Sequence, residues 1–505
     1  MGGGLLQLVA MGAQDAYLSG NPQITFWKGL FKRHTNFAME PFRINFTGQP
    51  NWGTKQSCVV NRNADLLYST YLEVHLPHYD ATTRKTAVYN NDQFSLGYNL
   101  LKYVELEIGG QLIDRQYGEW LFLWDTLTGT TENSVLGQSL IGAGGQPTYS
   151  ASVGGGPAGT TGTIDVKDSV GGSGGATASV GQVFIPAVPA GCSNTGAGQN
   201  NAGLPHIIYV PLKFFYTRNP GAALPLIALQ YHEVKINILW NDNQTISGDY
   251  THVPAPAQPA QAAIYIDYIY LDVEERRRMA QESHEYLIEQ VQYNEDKGLS
   301  SYNNRIDLTF NHPVKELIWV VQPTCYRSCK VPIPGAPGGP TIAQAGGNRT
   351  TSLNANRLTP FTYDQNAVCK QWLQINGQDR LDARYGDYFN KVQPYQHHTN
   401  IPQTEYVNYT GTTTNTNYTT YSGGPISVLP QNGIYCYSFA LKPEEHQPSG
   451  TCNFSRIDTA TLVLQLSGDV YVNQTNDATW DVRVYALNYN ILRIMSGMAG
   501  LAYSN

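Results

Sequence analysis

Short stretches of strict two-residue alternation dominate this chain. In Val104-Glu105-Leu106-Glu107-Ile108 the three apolar residues point one way and the two glutamates the other. Residues 305–310 (RIDLTF) and 461–466 (TLVLQL) carry the same pattern. A period of two is that of a pleated strand with one dry and one wet face, the habit of antiparallel sheets. Residues 264–273 (IYIDYIYLDV) are apolar at both parities. That predicts a strand covered on both sides, by a sandwich core and by a neighbour. Turn residues (Gly, Pro, Asn, Asp) separate the short strands, so the pattern predicts an all-β sandwich or barrel. Helical signal is thin. Residues 119–127 (EWLFLWDTL) predict a short helix with Trp120, Leu123, Trp124 and Leu127 on one face, an aromatic stripe suited to core packing. Residues 274–290 (EERRRMAQESHEYLIEQ) begin charged directly after a strand and read as the connection between two domains.

The domain count comes from a repeat. Residues 104–120 read VELEIGGQLIDRQYGEW, and 371–388 read QWLQINGQDRLDARYGDY. Both carry L-x-I-x-G-Q, at Leu106, Ile108, Gly110 and Gln111 and again at Leu373, Ile375, Gly377 and Gln378. An Asp and a Tyr-Gly-acid-aromatic run follow each time: Asp114 with Tyr117, Gly118, Glu119 and Trp120, then Asp382 with Tyr385, Gly386, Asp387 and Tyr388. Two matching parts in one order, about 267 residues apart in a chain of 505, imply two copies of one β domain. Each copy has the roughly 200–250 residues usual for a sandwich, enough to bury a core.

Composition then narrows the function. Charged residues make up 14% of the chain, against about 25% in ordinary globular proteins. Tyr is abundant, at 34, while Gly and Pro number 49 and 28. Aromatics are enriched and Lys and Glu depleted at buried interface cores, so a subunit of an assembly fits as well as a lone β protein. The net charge is −7. The densest basic stretches, Lys32-Arg33-His34 and Arg276-Arg277-Arg278, form no extended patch with stacking aromatics, which disfavours direct nucleic-acid binding. Seven cysteines (58, 192, 325, 329, 369, 436 and 452) are too sparse for a disulfide scaffold and fit free thiols in a reducing compartment. The first residues lack the basic region of a signal peptide. No apolar run reaches the roughly 18 residues of a membrane-spanning helix. Residues 141–200 hold 16 of the 49 glycines, with Ser, Thr and Ala, and cannot build a core; they predict a long surface loop. The polar stretch 410–424 predicts another exposed loop, and the Pro/Ala-rich tract 252–261 a loop inside the first domain.

Catalytic and ligand-binding patterns are weak. Glu444-Glu445-His446 offers acid and base groups, but neighbours in an extended chain point to opposite faces and do not converge on one substrate. His397-His398 could ligate a metal, yet no third or fourth ligand is identifiable from spacing, so a polar loop pair is the plainer reading and no metal is expected. Cys325 and Cys329 have no second Cys/His pair nearby with zinc spacing. Phosphate-cradling glycine motifs are absent as strand-loop-helix units, and the glycines of GGQLID belong to a hairpin. No catalytic residue and no cofactor are therefore expected. Seven N-x-[ST] sequons occur, at Asn45, Asn243, Asn348, Asn408, Asn417, Asn453 and Asn473. Asn408 and Asn417, in the exposed loop, are the glycosylation candidates.

Five longer runs are distinctive: residues 12–42 (GAQDAYLSGNPQITFWKGLFKRHTNFAMEPF), 224–236 (LPLIALQYHEVKI), 268–290 (YIYLDVEERRRMAQESHEYLIEQ), 437–458 (YSFALKPEEHQPSGTCNFSRID) and 488–505 (NYNILRIMSGMAGLAYSN). Together, in this order over nearly the whole chain, they closely resemble the major capsid proteins of nucleocytoplasmic large DNA viruses that infect algae and protists. Residues 141–200 are the departure, since many relatives have a shorter connection there. The resemblance implies a double jelly roll, two eight-stranded antiparallel sandwiches in tandem with short helices in loops. It places an N-terminal arm at 1–25, a first roll at 26–273 with the Gly-rich loop 141–205, a linker at 274–283 and a second roll at 284–505. It implies a homotrimer of six rolls with a nearly hexagonal outline that tiles an icosahedral shell. The implied partners are neighbouring capsomers, penton and minor capsid proteins, with an internal viral membrane beneath the shell and host-surface contact by outer loops. The implied location is the virion capsid, made and assembled in the host cytoplasm. Within 437–458, residues 437–441 predict a short strand ended by Pro443. Gln447-Pro448-Ser449-Gly450 is turn chemistry, and Asn453, Ser455 and Asp458 suit local backbone bonds. Arg456 is a fork donor for a carboxylate. The segment is either a corner that meets another subunit or an intrachain loop. Gln447, Arg456, Arg276 and Arg277 are the interface candidates. A carbohydrate-binding double sandwich is the rival reading.

Overall fold

The structure, a computed structural model, describes residues 2–27, 29, 31–76, 89–90, 96–129, 183–184, 206–242, 259, 261–323, 367–400, 403–407, 427–430, 433–466 and 479–503. Asn408 and Asn417, the loop expected at 410–424, and all but residues 183–184 and 206 onward of the Gly-rich stretch and its flank lie outside them.

Among the described residues, sixteen principal strands fall into two sets of eight. The first set is β1 (Phe37–Asn45), β2 (Lys55–Val59), β3 (Leu66–Leu76), β4 (Leu101–Ile108), β5 (Gln111–Tyr117), β6 (His206–Pro211), β7 (Val234–Trp240) and β8 (Gln261–Leu271). The second is β9 (His284–Leu299), β10 (Asn303–Asp307), β11 (Pro313–Pro323), β12 (Val368–Ile375), β13 (Gln378–Asp379), β14 (Ile434–Ser438), β15 (Ala460–Leu466) and β16 (Trp480–Met495). In the first set the sheets run β1-β8-β3-β6 and β2-β7-β4-β5; in the second, β9-β16-β11-β14 and β10-β15-β12-β13. The two orders are identical after a shift of eight strands, and these neighbours pair antiparallel. Two four-stranded sheets threaded in this order make a jelly roll, and the chain carries two.

The sequence repeat is one hairpin and the helix after it, built twice. Ile108 pairs with Gln111 and Ile375 with Gln378, so each hairpin turns on two residues. Those residues have positive φ in both copies: 58° and 83° at Gly109 and Gly110, 48° and 77° at Asn376 and Gly377. Two successive positive φ values match the right-handed twist of the flanking strands, the reason Gly-Gly and Asn-Gly recur in such turns. Asn376 also caps a neighbouring turn, its Oδ1 accepting from the backbone N–H of Asp458 and Thr459. After Tyr117 the chain enters helix α1 (Gly118–Thr128). After Tyr385 it turns helical through 386–397, with a π-helical middle at Tyr388–Val392 and an α-helical end at Gln393–His397. Between β8 and β9 lies α2 (Val273–Gln281), none of whose residues is buried.

Three local expectations change. The first concerns Glu105, whose parity predicts a wet face. It is 3% exposed, because Arg115 on the adjacent strand and Lys55 two strands away close over it, each with a nitrogen 2.6 Å from its carboxylate. Burial alone would raise this carboxyl, but the hydrogen bonds and charges of Lys55 and Arg115 outweigh it and hold the group below the usual range. Its stabilising contribution is therefore present above the unfolded value of about 4.3 and is lost as pH falls through the lower folded value. Glu105→Gln should accordingly be less stable than the parent at pH 7, with the gap closing in acid. A gap that instead widens on acidification would rule this assignment out.

The second concerns β8. Ile264, Ile266 and Tyr268 are buried in the sandwich, while Tyr265, Asp267 and Tyr270 are only partly covered. The strand covered on both sides is β16, buried continuously from Trp480 to Asn490. The third concerns 437–441. The strand ends at Ser438, because the Ser438 hydroxyl bonds Ala440 N–H and C=O, and both Phe439 and Ala440 donate to the single carbonyl of Lys315. That bends the chain before Pro443.

Candidate functional site

Because the sequence offers no convergent catalytic set, the informative surfaces are the junction of the two rolls and what the rolls leave exposed. The junction is built from the apolar run of β11, residues 317–321. Leu317, Trp319 and Val321 enter the second roll's core, whereas Ile318 and Val320 join the first roll's core with Ile434, Cys436, Tyr485 and Leu487. One sheet thus serves two cores, which explains an unbroken apolar stretch where a one-sided strand would alternate. Helix α1 fills the space between: Trp120 stacks on Trp124 at 5.5 Å and lies 5.7 Å from Tyr485.

Ionic and polar bonds then fix the angle of the two rolls. Glu119, in the first turn of α1, accepts from Arg483 Nε at 2.6 Å, Arg483 Nη2 at 2.5 Å and Tyr485 OH at 2.6 Å. Such a planar fork on a carboxylate is the geometry Arg alone supplies. Glu289 of β9 takes Arg218 Nη1 and Lys315 Nζ, each at 2.7 Å. The Arg218 guanidinium lies 4.6 Å over the Trp124 ring. Asp114 accepts from Val291 N–H at 3.0 Å, and Gln290 Nε2 donates to the Ile113 carbonyl. Burial pushes the Asp114 carboxyl up to about 6, against the pull of the hydrogen bonds from Val291 N–H and Gln116. At the far end Tyr231 N–H donates to Gly497 O at 3.0 Å, tying the C-terminal hairpin to the first roll.

The residues singled out from sequence separate. Arg276 is engaged within the chain, its Nη2 3.0 Å from Asp65, beside an open hollow of about 490 Å³ that Arg62 and Tyr270 also line. Arg277, Gln447 and Arg456 are exposed. The 444–446 trio diverges, as extended geometry requires. Glu444 turns to His398 at 3.1 Å, Glu445 to Lys442 at 2.8 Å, and His446 towards Glu289 at 4.0 Å. Asn453 Oδ1 accepts from Ser455 N–H, the local turn bond expected there, whereas Ser455 Oγ accepts from His312 N–H, a residue far away in the chain. His398, unlike its exposed-side neighbour His397, is enclosed by Glu316, Glu444 and Cys436, a convergence invisible in spacing.

Two family descriptions account for nearly the whole chain. "Major capsid protein N-terminus" matches residues 25–272, and "Large eukaryotic DNA virus major capsid protein" matches 275–423 and 415–500. The chain belongs to the major capsid proteins of large eukaryotic DNA viruses. It is 42% identical to the major capsid protein of Pyramimonas orientalis virus and 41% to that of Phaeocystis pouchetii virus, each alignment covering 100% of both chains. The chain of a quasi-atomic PBCV-1 virus capsid superimposes with a TM-score of 0.63 at 31% identity, over 95% of this chain and 100% of that one. The tandem sheets are thus the double jelly roll of these capsid proteins. Its role is structural, as a component of the virion capsid, and not enzymatic. In this capsid protein the two-faced sheet and the Glu119–Arg483 fork join one roll to the other.

Proposed function

We propose that the chain acts as a homotrimer whose six rolls give a pseudo-hexagonal capsomer, and that these capsomers tile the icosahedral shell. The division behind this reading is an arm at 1–25, a roll at 26–273, a short helical connection at 274–283 and a roll at 284–505. Two like rolls per chain turn threefold symmetry into a near-sixfold outline, which closed lattices can use.

The observation that carries the reading is the apolar surface left uncovered by a single chain. In the N-terminal arm Leu18 stands at 88% exposure, and where the chain enters the first roll Phe26, Trp27 and Phe31 stand at 104%, 90% and 95%. The edge strand β1 adds Phe37 and Met39, also exposed. Contiguous apolar surface beyond a few hundred Å² marks an interaction site, and obligate interfaces bury more than about 2,000 Å². The exposed Arg277, Gln447 and Arg456 are assigned to contacts between subunits. Neighbouring capsomers, penton and minor capsid proteins meet the arm and the roll ends. The shell lies over an internal membrane, assembly takes place in the host cytoplasm, and outer loops touch the host surface.

Light scattering after size exclusion tests this. The expected species has three times the 55.7 kDa chain mass and persists on dilution. A folded monomer unchanged by concentration, with measurable glycan affinity, would replace the capsomer with a carbohydrate-binding double sandwich.

A further inference from the structure

We infer that Glu316, His398 and Cys436 form a binding site for one divalent transition-metal ion of the zinc class, with Glu444 orienting the histidine. The three donors come from separate parts of the second roll. Glu316 lies on β11 and Cys436 on β14, where Ile318 pairs with Cys436 and Glu316 with Ser438. Glu316 and Cys436 are thus diagonal neighbours on the sheet face turned to the first roll. His398 caps the helix Gln393–His397, which is bonded to β14 through Gln393 and Ser438. The Glu316 carboxylate, the Cys436 Sγ and an imidazole nitrogen all lie within 4.8 Å of one another, and all three residues are buried. A tetrahedral zinc ion takes N, O and S donors at about 2.0–2.3 Å, so modest side-chain rotations bring these atoms onto one ion.

Two features point to a ligand rather than to a closed ionic cluster. Glu316 is 0% exposed, yet its Oε2 has no hydrogen-bond partner among the described residues. A buried carboxylate oxygen without a donor is costly. An ion bound through one or both Glu316 oxygens removes that cost. The second feature is the outer shell. His398 Nε2 faces Glu316, while Nδ1 sits 3.1 Å from Glu444 Oε1. Glu444 is itself fixed by the Thr399 N–H at 2.7 Å and by the Thr399 hydroxyl. A ligating imidazole characteristically donates its other N–H to a carboxylate, which sets its tautomer and ring plane. Here Glu444 occupies that role, and the ion takes the place of the proton that Nε2 now shares with Glu316.

Charge balances. Without the ion, a protonated His398, a Cys436 thiol and two carboxylates sum to −1. Binding a divalent ion displaces the Nε2 proton and the thiol proton, and the site remains at −1. Two protons leave per ion bound, so affinity rises with pH. Thiolate, imidazole and carboxylate together favour zinc over magnesium or calcium, which select oxygen donors. The site would pin the helix to the sheet just before Asn400, whose N–H and side-chain amide both bond the C-terminal carbonyls of α1 at 3.0 Å. The ion thus acts as a structural lock on the junction of the two rolls.

The test uses the full chain purified without chelator. Elemental analysis should find about one zinc per chain, lost in His398→Ala and kept in His397→Ala. Glu444→Gln should weaken binding roughly 10–100-fold. Cobalt added to the stripped wild-type chain should give thiolate-to-cobalt charge-transfer absorption, absent in Cys436→Ser while the ligand-field bands persist, and should release two protons per ion. Because the cobalt titration uses the wild-type chain, a variant that fails to fold does not spoil it. No stoichiometric zinc or cobalt and no charge-transfer band would overturn the site and leave a metal-free His398 clamp.

Discussion

Glu119→Ala is expected to destabilise the chain by about 3–5 kcal/mol, the cost of stranding a buried charge. Arg483 is 1% exposed as a side chain, and its guanidinium sits against Glu119. Arginine cannot escape by losing its proton, and the Glu119 charge raises its affinity for that proton further despite burial. Tyr485 would lose its hydroxyl partner in the same substitution. The double change Glu119→Leu with Arg483→Met should be much milder, because replacing a buried pair by apolar side chains is often neutral or favourable. Denaturant midpoints of the two variants, read at constant slope, separate a charge effect from a packing effect. If Glu119→Ala falls within about 1 kcal/mol of the parent, as exposed pairs do, the fork does not hold the junction.

Gly118→Ala should be nearly as damaging, at or above the upper end of the roughly 1–3 kcal/mol of an overpacked core. A Cβ at Gly118 would stand 2.2 Å from Tyr98 O and 2.3 Å from Leu101 O. Both are backbone atoms, so neither can rotate away, and α1 or the start of β4 must shift. Gly110→Ala is the control. Its φ of 83° is unfavourable for a side chain, but nothing lies within 4 Å of its Cβ, so it costs about 1–2 kcal/mol. Thermal unfolding should rank Gly118→Ala well below Gly110→Ala. The reverse order would mean that turn geometry, and not the close approach of the helix, explains the glycine of Tyr-Gly-Glu-Trp.

Both glycines are visible in the sequence as members of the repeat, and the structure gives them different reasons. The same holds for the acids. Asp114 and Asp382 hold like positions in the repeat, after the two hairpin turns, yet Asp114 is buried against β9 and Asp382 is exposed. The second roll covers the first at that point, while in the single chain the corresponding patch of the second roll faces outward. A repeat therefore specifies the backbone twice without specifying the surroundings twice. Glu105 follows the same logic: its parity assigned the correct face of the strand, but Lys55 and Arg115 close that face from neighbouring strands.

What the sequence determined by itself is whatever residues encode through near neighbours. Period-two alternation fixed the β class, the glycines of GGQLID marked a hairpin that turns at 109–110, and the helix over 119–127 emerged as Gly118–Thr128. The long distinctive runs placed the chain in its family. Tertiary structure decided what meets across the sheets. Pairing β11 with β14 and laying the 386–397 helix over them brings Glu316, His398 and Cys436 together. The β16 run stays dry on both faces because two cores share one sheet. The physical reason is that alternation and turn chemistry are local, set within a few residues, whereas convergence of side chains depends on which distant strands pair, and no spacing along the chain records that.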